Sequence, residues 1–113
     1  MKKFIILYHA PVEALEQTQN TPPEEAAKGM EMWMKWAEQC GDQLVDLGNP
    51  LGKGQSIDVN KNSKASKKQV CGYSFLQAEN MNEAKKLIVD HPHLSGWDDA
   101  CTIEVHEFLP MPS

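Results

Sequence analysis

Apolar side chains fall along this chain in a changing rhythm, with tight runs at intervals and stripes spaced by three and four between them. Residues 3–9 gather Phe4, Ile5, Ile6, Leu7 and Tyr8 into one run that stops short of Pro11, which predicts a first strand. The stretch 10–20 has no period and collects Gln17, Thr18, Gln19 and Asn20, so an excursion loop with a short helical turn over Val12–Gln17 is expected. Thr21-Pro22-Pro23-Glu24 then reads as a capping box, with Pro at the first helical position and Glu at the third. Ala26, Met30, Trp33, Ala37 and Cys40 follow at steps of four, three, four and three, which is one face of an amphipathic helix. Glu31, Lys35, Glu38 and Gln39 take the other side, and Gly41 suits a left-handed cap. Met32, Met34 and Trp36 widen the apolar surface beyond one stripe, so this helix is expected to touch more than its own sheet.

Leu44 to Leu47 predicts a short strand, broken by Gly48-Asn49-Pro50 and resumed by Ser56 to Val59. Lys61, Lys64, Lys67 and Lys68 lie among Asn and Ser and suit a solvated hairpin loop. Gln69 to Gln77, with Tyr73 and Phe75 two apart, predicts a strong strand. Asn80-Met81-Asn82-Glu83 repeats the helix-start signal, Ala84, Leu87 and Ile88 supply the inner face, and Pro92 is the expected stop. Cys101 to Leu109 predicts the last strand. The resulting order is β-α-β-β-α-β, the split βαβ pattern of an α+β, ferredoxin-like fold. It implies a four-stranded antiparallel sheet with two helices on one face, and one domain over residues 1–113. The opposite face of such a sheet needs cover, and a symmetric homodimer, two sheets facing one another as a barrel, supplies it.

Composition narrows this further. Hydrophobic residues are 41% and charged residues 24%, the balance of a folded chain. The net charge of -5 makes wrapping nucleic acid or lying on an anionic membrane unfavourable, so neither partner is expected. All 11 basic residues are Lys, which removes any site built on the planar two-pronged grip of Arg. The run Phe4–Tyr8 is too short for the roughly 7–15 residues of a signal-peptide core. Cys40, Cys71 and Cys101 are odd in number and far apart, which fits buried, reduced thiols in a cytoplasmic protein.

Several segments together carry a family resemblance. They are Phe4–Tyr8, the stretch WAEQCGDQLVDLGNPLG from Trp36 to Gly52, Gly72-Tyr73-Ser74, the stretch ENMNEAKKLIVDHPHL from Glu79 to Leu94, and Ile103-Glu104-Val105. In these the chain resembles the YCII-related proteins and the wider DGPF-domain group, over nearly its whole length. The resemblance implies a dimeric α+β barrel, whose superfamily includes muconolactone isomerases and small cofactor-independent monooxygenases. The helical His of many members and the acid about nine residues later have no counterpart: Met30 and Gln39 stand there. The Asp-Gly-Pro-Phe signature is also absent, and the Lys-rich stretch occupies its region.

The residues themselves offer one polar cluster, His91-Pro92-His93. His93 lies past Pro92 in a connecting loop and is the candidate acid/base. His91 is expected at a helix C-terminus, where it complements the dipole. Asp46, the one carboxylate in the second strand's apolar run, is the candidate orienting group, with a turn anchor as the alternative. Tyr8, Ser74, Trp33 and Asn49 are candidate ligand contacts; Tyr73 and Ser74 must point to opposite sheet faces. The histidines His9, His91, His93 and His106 show no metal-binding spacing, and neither metal nor cofactor is expected. The expected function is binding of a small organic molecule in a sheet–helix pocket, with acid/base chemistry there or a binding role without turnover.

Overall fold

A computed structural model describes residues 1–11, 20–66, 69–96 and 98–112. The expected helical turn at Val12–Gln17 and the lysines Lys67 and Lys68 lie outside the described residues. The elements are β1 (Lys2–His9), α1 (Pro23–Cys40), β2 (Leu44–Asp46), β3 (Gln55–Ile57), β4 (Ser63–Ala65), β5 (Val70–Ala78), α2 (Met81–Lys86) and β6 (Thr102–Glu107). Four of the strands form an antiparallel sheet in the order β2-β5-β1-β6, while β3 and β4 pair only with each other. The architecture is α+β, a four-stranded antiparallel sheet with two helices, compatible with a ferredoxin-like fold. No described helix is long and apolar enough to cross a membrane.

Alternation along the strands sets the two sheet faces. Phe4, Ile6 and Tyr8 of β1 and Ser74, Leu76 and Ala78 of β5 are buried on one face. Trp36 and Cys40 of α1 join Ile6, Tyr8, Leu76 and Ile88 in one cluster, and Ala84 of α2 joins Phe4 and Ala78 in another. Both helices therefore pack on the same side. The opposite face carries Ile5, Leu7, Tyr73 and Phe75, all half-buried. Tyr73 packs on Phe75 at 5.4 Å between ring centres, and Phe75 on Phe108 at 5.8 Å. No described helix lies over this apolar strip.

The start of α1 departs from expectation. Pro22, not Thr21, is the N-cap, and no side chain caps it. Pro23 is the cause: a residue before proline is driven out of the helical region, so Pro22 stays extended at φ -58°, ψ 147°. The inner face of α1 is also displaced. Ala26 and Met30 are exposed, whereas Trp36, read as surplus, is buried. Only the part of α1 from Trp33 onward lies against the body; residues 23–32 are exposed without exception. Gly41 ends the helix with φ +56° and its N–H on the Ala37 carbonyl, but ψ -129° puts it outside the left-handed helical well.

The other corrections are local. Residues 56–59 do not resume β2 in the main sheet; β3 over Gln55–Ile57 belongs to a separate hairpin with β4, and that hairpin interrupts the simple β-α-β-β-α-β order. Asn80 caps α2 as expected, its side chain accepting from the Glu83 N–H at 2.9 Å. That helix is over by Lys86, well before Pro92. Pro92 instead opens a short 3-10 turn, Pro92–Leu94.

Two positions test this packing. Phe4 is fully buried in the smaller cluster, so Phe4→Ala should lose about 3–5 kcal/mol of unfolding free energy in urea titration. Gly48 has φ +82°, and an added Cβ would lie 1.8 Å from the Tyr73 carbonyl oxygen. Gly48→Ala should therefore destabilise the chain, by more than the roughly 0.4–1 kcal/mol that the same change gains at a compatible position, and hydrogen exchange should rise in β2 before β1. Unchanged protection in β2 would count against this close approach.

Candidate functional site

Burial of Tyr8 in the centre of the sheet creates a demand for hydrogen bonding, and Ser74 meets it. Ser74 sits two residues from Leu76 on the same face of β5 and is itself fully buried. Its hydroxyl donates to the Leu47 carbonyl at 2.6 Å, which uses its one hydrogen. The Tyr8 hydroxyl, 2.8 Å from Ser74 Oγ, must then be the donor between them. Burial pushes the Tyr8 phenol far above its ordinary range, so it stays protonated.

Around Tyr8 stand the other rings. Trp33 meets it edge-on at 4.9 Å between ring centres. His91 lies 4.9 Å from Tyr8, 4.4 Å from Trp33 and 4.3 Å from Trp36. His93 is 5.4 Å from Tyr8 on another side. Trp36 is fixed by its indole N–H on the Leu87 carbonyl at 2.7 Å. Tyr8, Trp36, His91 and His93 are buried, whereas Trp33 is half-buried. Trp33 occupies the point on α1 where the helix leaves the body, and it is the ring of this group that reaches solvent.

His91 is not at a helix C-terminus. It is the N-cap of the 3-10 turn, its Nδ1 accepting from the His93 N–H at 2.9 Å. The proton of the neutral ring therefore sits on Nε2. That Nε2 is buried and has no hydrogen-bond partner among the described residues. Desolvation first, then the nearby His93, pull the His91 pKa down to about 3. The ring is thus a neutral donor enclosed by aromatic rings.

His93 has a structural anchor. Its Nε2 lies 2.8 Å from the His9 carbonyl and so ties the 3-10 turn to the end of β1. Burial lowers its pKa, opposed by its backbone partners at His9 and Thr102. Of the residues singled out in the sequence, Tyr8, Ser74, Trp33 and His93 come together on the helix side. Asp46 does not join them: it is exposed and accepts from the Gly48 N–H at 2.9 Å, the turn-anchor arrangement. Asn49 is exposed too, and its amide donates to the Tyr73 hydroxyl at 3.4 Å. His91 and Trp36 belong to the cluster although neither was singled out as a site residue. Their signal was present: Trp36 is three residues beyond Trp33, one helical turn along.

A second polar group occupies the other sheet face. Glu104 Oε1 lies 2.9 Å from His106 Nε2 and 3.8 Å from His9 Nε2. Among the described residues no set of three His, Cys, Asp or Glu side chains is arranged to hold a metal ion. The three cysteines are unbridged, and burial pushes the Cys40 and Cys71 thiols up to about 11, which keeps them protonated. No protein-family model matches the chain, and no curated protein matches it.

The neutral imidazole gives a pH prediction. In the unfolded chain His91 takes up a proton below roughly pH 6.5, whereas in the folded chain it resists until about pH 3. Its contribution is complete above the unfolded value and is lost as the pH falls below it. Between about pH 7 and pH 5 it should remove about 2 kcal/mol, at up to roughly 1.4 kcal/mol per unit. Urea titrations at both pH values should show a shallower loss in His91→Phe than in the wild type. Equal slopes would mean that His91 already carries charge in the folded chain.

Proposed function

We propose that this chain is a YCII-related domain that binds a small planar organic molecule beneath α1, as one half of a ferredoxin-like, dimeric α+β barrel. The observation that carries the binding reading is the unpartnered Nε2–H of fully buried His91 among Tyr8, Trp33 and Trp36. A buried donor without an acceptor costs about 1–3 kcal/mol, and a ligand oxygen would recover that cost. The surrounding rings favour a flat or aromatic body, and the donor favours a carbonyl or carboxylate on it. Trp33 is the movable wall, because it alone of these rings is half-exposed among the described residues.

A binding role without turnover is favoured over acid/base catalysis. Asp46 is committed to its own turn, and one nitrogen of His93 is committed to the His9 carbonyl, so these two do not pair as acid and base. The homodimer reading rests on the apolar strip of Ile5, Leu7, Tyr73 and Phe75, which needs a partner surface. The protonated thiols suit a reducing, cytoplasmic setting.

Thermal melting with a panel of aromatic carboxylates and their matched hydrocarbons tests the site. A ligand at a hundred times its dissociation constant should add about 2.7 kcal/mol, with quenching of tryptophan fluorescence. The gain should vanish in His91→Phe. Equal stabilisation by the matched hydrocarbons would remove the role given to the His91 donor. Light scattering should give twice the chain mass, and Phe75→Asp should give the single-chain mass.

A further inference from the structure

Among the described residues, two segments that carry secondary structure bury almost nothing of their own. The first is the arm from Leu51 to Ala65, exposed at every residue, whose strands β3 and β4 pair only with one another. A lone two-stranded hairpin is marginal in water. This one also displays Leu51, Ile57 and Val59, the last at 90% exposure. The second is the first half of α1, exposed from Pro23 to Met32. An unpacked helical segment of that length is marginal as well. It displays Met30 and Met32, and Ala27, Met30, Glu31, Met34, Lys35 and Glu38 line a shallow groove that starts on it and runs on along the outer side of the supported half. The radius of gyration is 15.5 Å, against about 13 Å for a compact chain of this length.

Their charges are opposite. The arm carries Lys53, Lys61 and Lys64 against Asp58. The exposed side of α1 carries Glu24, Glu25, Glu31 and Glu38 against Lys28 and Lys35. Each part thus offers what the other lacks: an apolar hairpin edged with ammonium groups and a methionine groove edged with carboxylates. Within one chain no extensive contact joins α1 to β3 or β4.

We propose that the arm of one chain docks in the α1 groove of a second copy, and that the exchange is reciprocal about a two-fold axis. The contact is isologous: the same two surfaces meet twice, so one pairing commits both. It rests on the homodimer reading and specifies a contact beyond the sheet face. The lysines stand over Glu31 and Glu38, while Ile57 and Val59 enter beside Met30 and Met34. Docking removes the exposed apolar tip and the unsupported helix turns together.

Charge reversal on each side tests this with substitutions confined to exposed residues. In sedimentation, K53E/K61E/K64E and, separately, E31K/E38K should each weaken self-association about tenfold, since both contacts then oppose like charges. An equimolar mixture of the two variants should regain wild-type affinity, because both contacts in the mixed dimer are again complementary. Carbodiimide coupling of isotope-labelled with unlabelled wild-type chains should join Lys61 or Lys64 of one copy to Glu31 or Glu38 of the other. Reversed variants that associate like the wild type, while Phe75→Asp falls apart, would overturn the arm contact and leave the sheet-face dimer standing. Weakening that mixing fails to repair would overturn it too. A wild-type chain that stays monomeric at micromolar concentration would overturn both.

Discussion

The Tyr8 hydroxyl is the constraint on which the helix side of the sheet depends. A phenol at the centre of a four-stranded sheet brings a large apolar ring and one polar atom that must be satisfied. Its donor has a single outlet, Ser74, and Ser74 in turn has a single hydrogen, spent on the Leu47 carbonyl. The relay therefore ties β1 to β5 and β5 to the segment that follows β2. That segment needs a fixed path, because Gly48 passes so close to Tyr73 that no side chain fits between them. The three-residue strand β2 is held at the sheet edge by this relay as much as by its own ladder.

The same ring organises what lies above it. Trp33, His91 and His93 all pack on Tyr8, and His91 also touches Trp36. His91 caps the turn that aims His93, and His93 reaches back to the end of β1. The two histidines thus close the connection between α2 and β6 onto the sheet, through neutral rings in an apolar setting. This explains why Pro92 begins a turn here: residue 91 must remain extended before a proline, which leaves its imidazole free to cap.

Much of this arrangement was legible in the sequence. An apolar run before Pro11 located β1, alternation located β5 and β6, and the Asn80 start signal located α2, because runs, strand faces and caps are local physics. The opposition of Ser74 and Tyr73 was legible too; which face each took depended on where the helices landed. The stripe of α1 was read correctly from Trp33 through Ala37 to Cys40 and misjudged before it, because periodicity assumes a helix supported along its whole length. A helix that meets the sheet only from Trp33 onward has no reason to bury Ala26 or Met30. The separation of Asp46 from His93 was legible as one of two readings, because an Asp two residues before Gly48 can bond its own backbone; the structure takes that turn-anchor reading. His91 was misread for a related reason: its role follows from α2 ending early, and the composition of residues 84–90 does not announce that end.

The half-supported helix also connects the candidate site to association. Trp33 stands at the last supported turn of α1, so the order of the turns before it governs how firmly that indole covers His91. A partner that steadies those turns would hold the wall closed, and a ligand that displaces Trp33 would loosen them. The binding proposed beneath α1 and the contact proposed along it would then draw on the same few turns of helix, and a change in one would be felt by the other through Trp33.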